Sequence, residues 1–279
     1  MTDDRLPDFL VIGAAKSGTM SLFEHLREHP QVYVPPEKEV RFFDVDDRFA
    51  LGPSWNAAHF RLASPGQVTG EATPGYLASK EAPARIADLM PAARLIALLR
   101  DPVDRAYSHY WHAMSWAGGG APFADFVDSA VRGGDLDDRF VRGGRYADQL
   151  ARYAEHFARE QIHVQVFERV VADAAGSFTA ICRFLGVPEL VPPSLGRVFN
   201  RSHKHRSRLL RGYMEGLSAW RRLPRPLANA IDRLNTVDVD YPPMPPDVRA
   251  RLADYFAPHN ERLASEWGLD LSRWSRPQP

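Results

Sequence analysis

The sequence predicts an α/β fold with a central parallel sheet. Apolar runs of strand length recur at 8–13, 94–99 and 161–167, with a shorter one at 67–71. Helical patterns at 19–29, 81–89, 102–116 and 145–158 fall between them, an alternation typical of parallel strands joined by crossover helices. The two most apolar runs, FLVIG and RLIALL, read as buried strands, as a parallel sheet covered by helices requires. Ligands of such folds gather at the carboxyl ends of the strands, so the residues that follow each run are the first candidates for function.

The first strand leads into a small-residue turn, FLVIGAAKSGTMSL at 9–22, after which a helix begins. A helix N-terminus leaves backbone N–H groups unpaired and carries partial positive charge, so a phosphate or sulfate can sit there with Lys16 beside it. Gly13 and Gly18 allow close backbone approach, and Thr19 offers a hydroxyl or a cap. A Walker A loop places its lysine after the second glycine, whereas here the order Gly13, Lys16, Gly18, Thr19 puts it inside the turn. No strand ends in a clear Walker B aspartate, which argues against a metal-assisted P-loop nucleotide kinase. An ordinary strand–turn–helix with a solvated lysine is the plainer reading of this segment.

The strand RLIALL ends in Arg100, and the helix after it is capped by Asp101 and opened by Pro102. Ser108 lies about two turns along, where the serine hydroxyl and the arginine fork can grip one phosphate. Alternatively, Arg100 is a structural ion-pair partner. Residues 117–145 hold glycine clusters around a short helix-like segment, as expected of an insertion forming a loop or lid. After the strand QIHVQVF comes SFTAICRFLG, a helical segment in which Cys182 reads as a packed thiol. Residues 203–245 carry an amphipathic pattern with arginines opposite Leu209, Leu210, Tyr213, Met214 and Leu217. That stretch reads as a docked element, as a lid over an anionic cofactor, or as a face for an amphipathic acceptor, membrane surface included. A closing helix and a short cap occupy 246–274.

The 279 residues suffice for one large domain spanning 1–279. Lys+Arg and Asp+Glu are equal at 35 each, so no global basic signature points to nucleic acid and any anion site must be built locally. The single cysteine excludes an internal disulfide and suits a reducing compartment. The N-terminal MTDDRLPD lacks the features of a signal peptide, and no apolar run reaches transmembrane length, so a cytoplasmic protein is expected. The Ala- and Arg-rich composition is compatible with a bacterial source.

Taken together, FLVIGAAKSGTMSL and RDPVDRAYSHY resemble the 5′-phosphosulfate loop and the 3′-phosphate motif of the sulfotransferases that use 3′-phosphoadenosine-5′-phosphosulfate (PAPS). HPQVYVPPEKEVRFFD, GEATPGYL, RYADQLARYAEHF with QIHVQVFE, FLGV and YPPMPPDVRARLADYFAPHNERL are similar to the heparan sulfate sulfotransferase-like branch and its bacterial relatives, in order and over nearly the whole chain. The resemblance implies a P-loop-type three-layer fold with helical insertions forming an acceptor lid. It also implies PAPS as donor, 3′,5′-bisphosphoadenosine (PAP) as product, and no metal.

By the same resemblance Ala15, Lys16, Ser17, Gly18, Thr19, Met20 and Ser21 surround the 5′-phosphosulfate, and Arg100 with Ser108 binds the 3′-phosphate. Lys16 then stabilises charge on the departing phosphate. Glu39 matches the catalytic glutamate before the paired aromatics, and partial burial against Phe42 and Phe43 would suit it as the base. Without the family match it reads as a surface residue of the mixed-charge run EKEVR. Asp44 orients Arg41 or, like Arg41, binds the acceptor; Thr73 and Tyr76 are expected on the acceptor side, and His112 in the acceptor pocket. His25 and His109 read as packing or surface groups. Position 72 is alanine where several heparan-modifying relatives carry a lysine, which leaves the sulfuryl charge to Lys16 or to another cation such as one from HKHRSR. Arg201, Lys204 and Arg206 are the candidates for a basic loop closing over the nucleotide. The acceptor is expected to be a small molecule, glycolipid or saccharide. A non-catalytic nucleotide-binding protein of the same fold is the remaining alternative.

Overall fold

In the computed structural model, residues 5–117, 120–134, 139–197, 203–205, 236–238 and 241–274 are described. Five strands form one sheet: β1 (Phe9–Gly13), β2 (Val32–Tyr33), β3 (Val68–Ala72), β4 (Arg94–Leu99) and β5 (Ile162–Val166). Their order is β2-β3-β1-β4-β5, and every neighbouring pair is parallel, with Phe9 opposite both Gly70 and Arg94. The two-residue strand β2 was not anticipated, because a pair of residues carries no periodicity.

Alternation along the strands sorts the core into two faces. Leu10 and Ile12 of β1, with Leu95, Ala97 and Leu99 of β4, enter one cluster; Phe9 and Val11, with Ile96 and Leu98, enter the other. Helices cover both faces, giving the three-layer, P-loop-like architecture. Leu22, Phe23 and Leu26 of α1 (Thr19–Glu28) pack on the second face. The short helices α2 (Asp46–Phe49) and α3 (Pro53–Ala57) follow β2, and α4 (Ala82–Leu89) lies on the first face. After β4 come α5 (Pro102–Ala117), α6 (Phe123–Val131) and α7 (Tyr146–Ala154); after β5 come α8 (Phe167–Ala172) and α9 (Ala174–Leu185). The closing helix α10 spans Pro246–Trp267. Cys182 is fully buried in α9 among the second-face residues.

The stretch expected as a loop or lid at 117–145 contains α6. Its Phe123, Phe126, Val127 and Ala130 are buried in a third apolar cluster with Val103 and Ala106 of α5 and Val248, Leu252 and Phe256 of α10. This segment is therefore packed against the body of the protein. Of the 203–245 stretch, β6 (His203–His205) and β7 (Thr236–Asp238) form an antiparallel pair, and the proposed amphipathic helix lies outside the described residues.

Candidate active site

The chain leaves β1 toward β2 and β3 on one side, then crosses to β4 on the other, so the carboxyl ends of β1 and β4 form a switch point in the sheet. A cleft of about 930 Å³ opens there. It is lined by Ala15, Lys16, Gly18, Thr19, Met20 and Ser21 from the β1–α1 turn, and by Arg100, Ser108, His109 and His112 from the end of β4 and α5. Lys38, Glu39, Arg41 and Asp44 line the same cleft.

The β1–α1 turn fits an anion. Gly18 is the N-cap of α1 with φ 86°, a left-handed conformation natural to glycine, and it supplies no side-chain cap. A Cβ there would also lie 2.9 Å from the Phe167 ring. The first turn of α1 holds no acidic residue, so its positive end stays uncompensated beside Lys16. Thr19 opens the helix and does not cap it. Ser17, expected at the donor, is fully buried, and its N–H bonds the Ala14 carbonyl (3.2 Å). Its contribution is to the foundation of the turn.

Lys16 is only partly exposed, and burial, followed by the charges of Arg100 and Lys38, lowers its pKa from 10.5 to about 8 against the opposing effect of Glu39. Three cations facing one cleft in a low-dielectric site repel one another, and an anion removes that conflict.

Arg100 is fixed from several sides. Its carbonyl accepts from the Tyr146 hydroxyl (2.9 Å), its guanidinium lies 5.3 Å from the Phe167 ring centroid, and Nη1 donates to the Lys16 carbonyl (3.4 Å). The next residue, Asp101, caps α5 by accepting from Val103 N–H (2.9 Å), and its own N–H donates to Glu168 (2.9 Å). Arg100 and Ser108 thus share the cleft with Lys16.

The opposite wall is the loop 38–44. Among the described residues, the non-glycine positions with left-handed backbone are Lys16 (φ 71°), Glu39 (φ 67°) and Arg41 (φ 55°). Such conformations cost about 1–3 kcal/mol each and persist only where their surroundings enforce them. Here the enforcement is visible. Glu39 N–H bonds the Ala72 carbonyl (3.2 Å), Val40 N–H bonds the Glu71 carboxylate, Arg41 N–H bonds Thr73 Oγ1 (3.2 Å) and Phe42 N–H bonds the Tyr76 hydroxyl (2.9 Å). Four consecutive amides are pinned to the end of β3.

Glu71 organises that anchor. It is 1% exposed and accepts from Thr73 Oγ1 (2.9 Å) and the Tyr76 hydroxyl (2.7 Å). Burial pushes its carboxyl up to about 7, although the hydrogen bonds from Tyr76, Thr73 and Val40 pull it down. Thr73 and Tyr76, expected on the acceptor side, are instead buried beneath the loop with their hydroxyls engaged by Glu71. Both are positioning groups, because a hydroxyl sealed under the wall cannot meet an acceptor. Phe42 and Phe43 are likewise fully buried, Phe42 against Phe49 and Trp55 and Phe43 against Tyr76. The Glu39 carboxylate is 49% exposed at the cleft and accepts from Lys38 Nζ at 2.7 Å. Arg41 donates to Asp44 Oδ2 through Nε (3.2 Å) and Nη2 (3.0 Å).

His109, read from sequence as a packing or surface group, lines the cleft beside Arg105, as His112 does. Burial, then the charges of Arg105, Arg139, His112 and Lys16, lower the pKa of His109 to about 3. His25 also reaches the cleft, and burial lowers its pKa. Arg201 and Arg206 lie outside the described residues, and of Lys204 only the backbone, in β6, is described. Sequence reasoning missed Lys38, Arg139 and Glu71. Lys38 stands next to Glu39, and Glu71 gave the available signal of an acidic residue ending an otherwise buried strand.

Among the described residues no group of three His, Cys, Asp or Glu side chains could hold a metal ion, and no helix is long and apolar enough to cross a membrane. A family model described as "Sulfotransferase domain" matches residues 6–207. The chain is 30% identical to the mouse bifunctional heparan sulfate N-deacetylase/N-sulfotransferase 4 over 99% of its own length and 32% of that protein. It is 33% identical to the human heparan sulfate glucosamine 3-O-sulfotransferase 3B1 over 67% of its length and 48% of that protein. It therefore spans about a third to about a half of these relatives' lengths. The solved structure of a sulfotransferase from Alicyclobacillus acidocaldarius superposes with a TM-score of 0.72 at 28% identity, covering 98% of this chain and all of that one. The family model covers well over half of the sequence and includes both walls of the cleft, so the chain belongs to the sulfotransferase domain family.

Proposed function

We propose that this protein is a PAPS-dependent sulfotransferase that moves a sulfuryl group to a hydroxyl, or less favourably an amine, of a small-molecule, glycolipid or saccharide acceptor, and that residues 1–279 form one domain for this purpose. One observation carries the reading: Lys16, Arg100 and Ser108 line the same cleft as Glu39, and the α1 N-terminus, which has no side-chain cap, opens onto it through Gly18 and Thr19. The donor supplies a sulfuryl group already activated on phosphate.

The residues divide the work. The β1–α1 turn and Lys16 hold the 5′-phosphosulfate, and Arg100 with Ser108 holds the 3′-phosphate through charge-assisted hydrogen bonds. Glu39 takes the proton of the acceptor hydroxyl as its oxygen bonds to sulfur. The bond from sulfur to the bridging phosphate oxygen breaks with its electron pair on that oxygen, where Lys16 stabilises the growing charge. The products are a sulfate ester, PAP and a protonated Glu39, which returns its proton to water. Arg41, Asp44 and His112 contact the acceptor. A single cysteine, buried and unpaired, fits a cytoplasmic setting.

The test uses labelled PAPS with an extract of the source organism, the labelled product being identified by mass spectrometry. The wild type is expected to label an acceptor. Glu39→Gln should abolish transfer while its PAP affinity stays within about threefold, an ordinary surface effect. Normal turnover by that variant would sink the assignment of the base.

A further inference from the structure

Lys38 has no role in the mechanism above, yet its surroundings are specific. Its side chain is 11% exposed, it lines the cleft with Lys16, and among the described residues its hydrogen-bond partner is Glu39, 2.7 Å away. Successive side chains of an extended chain point to opposite sides. Here two adjacent side chains meet, at a point where the backbone turns left-handed at Glu39.

Stability does not account for the arrangement. An ion pair with a half-exposed partner contributes little to folding. Lys38 also acts against the folded protein, because its charge and that of Lys16 repel within one cleft. The other cation on this wall, Arg41, is committed to Asp44 through two hydrogen bonds. Ala72 is apolar and buried, so position 72 brings no cation to the cleft. An ammonium has three donors and Glu39 uses one of them, so Lys38 has N–H groups to offer a second oxygen without releasing the base.

We propose that Lys38 is a catalytic residue that binds the transferring sulfuryl group, donating to a sulfuryl oxygen while it holds Glu39 in line with the acceptor. The proposal rests on the sulfotransferase reading and deepens it. Glu39 must reach the acceptor oxygen, and that oxygen bonds to sulfur, so a cation touching Glu39 stands beside the group in flight. As the acceptor oxygen attacks and the bridging bond to phosphate breaks, Lys38 and Lys16 neutralise opposite ends of the transferring unit: Lys38 at the sulfuryl oxygens, Lys16 at the leaving phosphate oxygen. The proton still passes to Glu39, and no further reactant is needed.

The discriminating pair of ligands is PAPS and PAP, which differ by the sulfuryl group alone. Both are titrated, without acceptor, against wild type, Lys38→Met and Lys38→Arg, and kcat and KM are then measured with the acceptor identified above. Thermal melts verify that the variants fold. Lys38→Met is expected to keep PAP affinity within about threefold, to weaken PAPS about tenfold, and to lower kcat about 100-fold, the scale of losing one transition-state donor. Lys38→Arg should restore most of the PAPS preference. Equal losses for PAP and PAPS would overturn the proposal by making Lys38 a general holder of nucleotide or of the fold. An unchanged PAPS-to-PAP affinity ratio would also overturn it, whatever happens to kcat, since Lys38 would then act through Glu39 alone. Wild-type protein that binds neither nucleotide would refute the underlying sulfotransferase reading, a result distinct from either failure of Lys38.

Discussion

Replacing Lys16 with methionine keeps the length of the side chain and removes its charge, so the variant isolates what that charge costs the folded protein. In the folded chain the amine is pressed from 10.5 down to about 8 by burial and by Arg100 and Lys38. At 1.36 kcal/mol per tenfold change in acidity this amounts to about 3 kcal/mol, and solvent at the cleft mouth reduces the usable part to about 1–2 kcal/mol. The unfolded chain holds this proton up to about pH 10.5, whereas the folded chain releases it near 8, so the unfolded state binds more protons between those values. The cost is therefore complete below pH 8 and disappears as the pH rises toward 10.5. Lys16→Met is expected to melt about 2–6 °C above wild type at pH 7, with the gap closing at pH 10. The same variant should lose most of the upward melting shift that PAP gives the wild type, because the charge that binds the anion is the charge removed. Differential scanning fluorimetry at the two pH values, with and without PAP, reads both effects. A variant no more stable than wild type at pH 7, or one whose response to PAP is intact, would refute the view of Lys16 as a strained cation awaiting an anion.

Two further outcomes follow from the same geometry. Arg100→Ala should reduce the preference for adenosine 3′,5′-bisphosphate over adenosine 5′-phosphate by about 10–100-fold, since a charge-assisted hydrogen bond is worth about 1.5–3 kcal/mol. Calorimetric titration of the two nucleotides checks this, and an unchanged ratio removes Arg100 from the 3′-phosphate. Glu71 has its folded carboxyl raised to about 7 from an ordinary 4.5, so its contribution to stability is complete below about pH 4.5 and is lost as the pH rises through 7. Urea unfolding at pH 5 and 8 should show wild type losing up to about 3 kcal/mol more than Glu71→Gln across that interval. Parallel losses in the two proteins would mean that Glu71 titrates as an ordinary surface acid.

The strands were legible because a parallel sheet covered on both faces leaves continuous apolar runs, and β1, β3, β4 and β5 begin and end within a residue of the expected positions. The half of the cleft formed by the ends of β1 and β4 was legible for a related reason. Lys16 and Arg100 each follow an apolar strand directly, and Asp101 and Pro102 announce the start of α5 locally. The other wall was harder to read. EKEVR has the composition of a solvated surface turn, and the groups that give it shape, Glu71, Thr73 and Tyr76, lie some thirty residues later. Their hydroxyls looked like acceptor contacts because sequence gives residue type without depth. His109 was passed over for the same reason, since helical spacing on α5 does not reveal that one turn faces the cleft.

The four pinned amides of residues 39–42 also bear on how a protein of this kind can diversify. Glu39, the proposed base, is mounted on the end of β3, which is itself hydrogen-bonded to β1, the strand that leads into the proposed phosphate site. On the proposed mechanism, base and leaving group are thus referenced to one pair of hydrogen-bonded strands. On the same mechanism, changes in the remaining walls, around His112 and Arg139, would alter the shape and charge offered to an acceptor without shifting the line along which the group travels. New acceptors are open to such a scaffold by exchange of its peripheral loops, whereas substitutions that loosen the grip of Glu71 would misalign transfer to every acceptor alike.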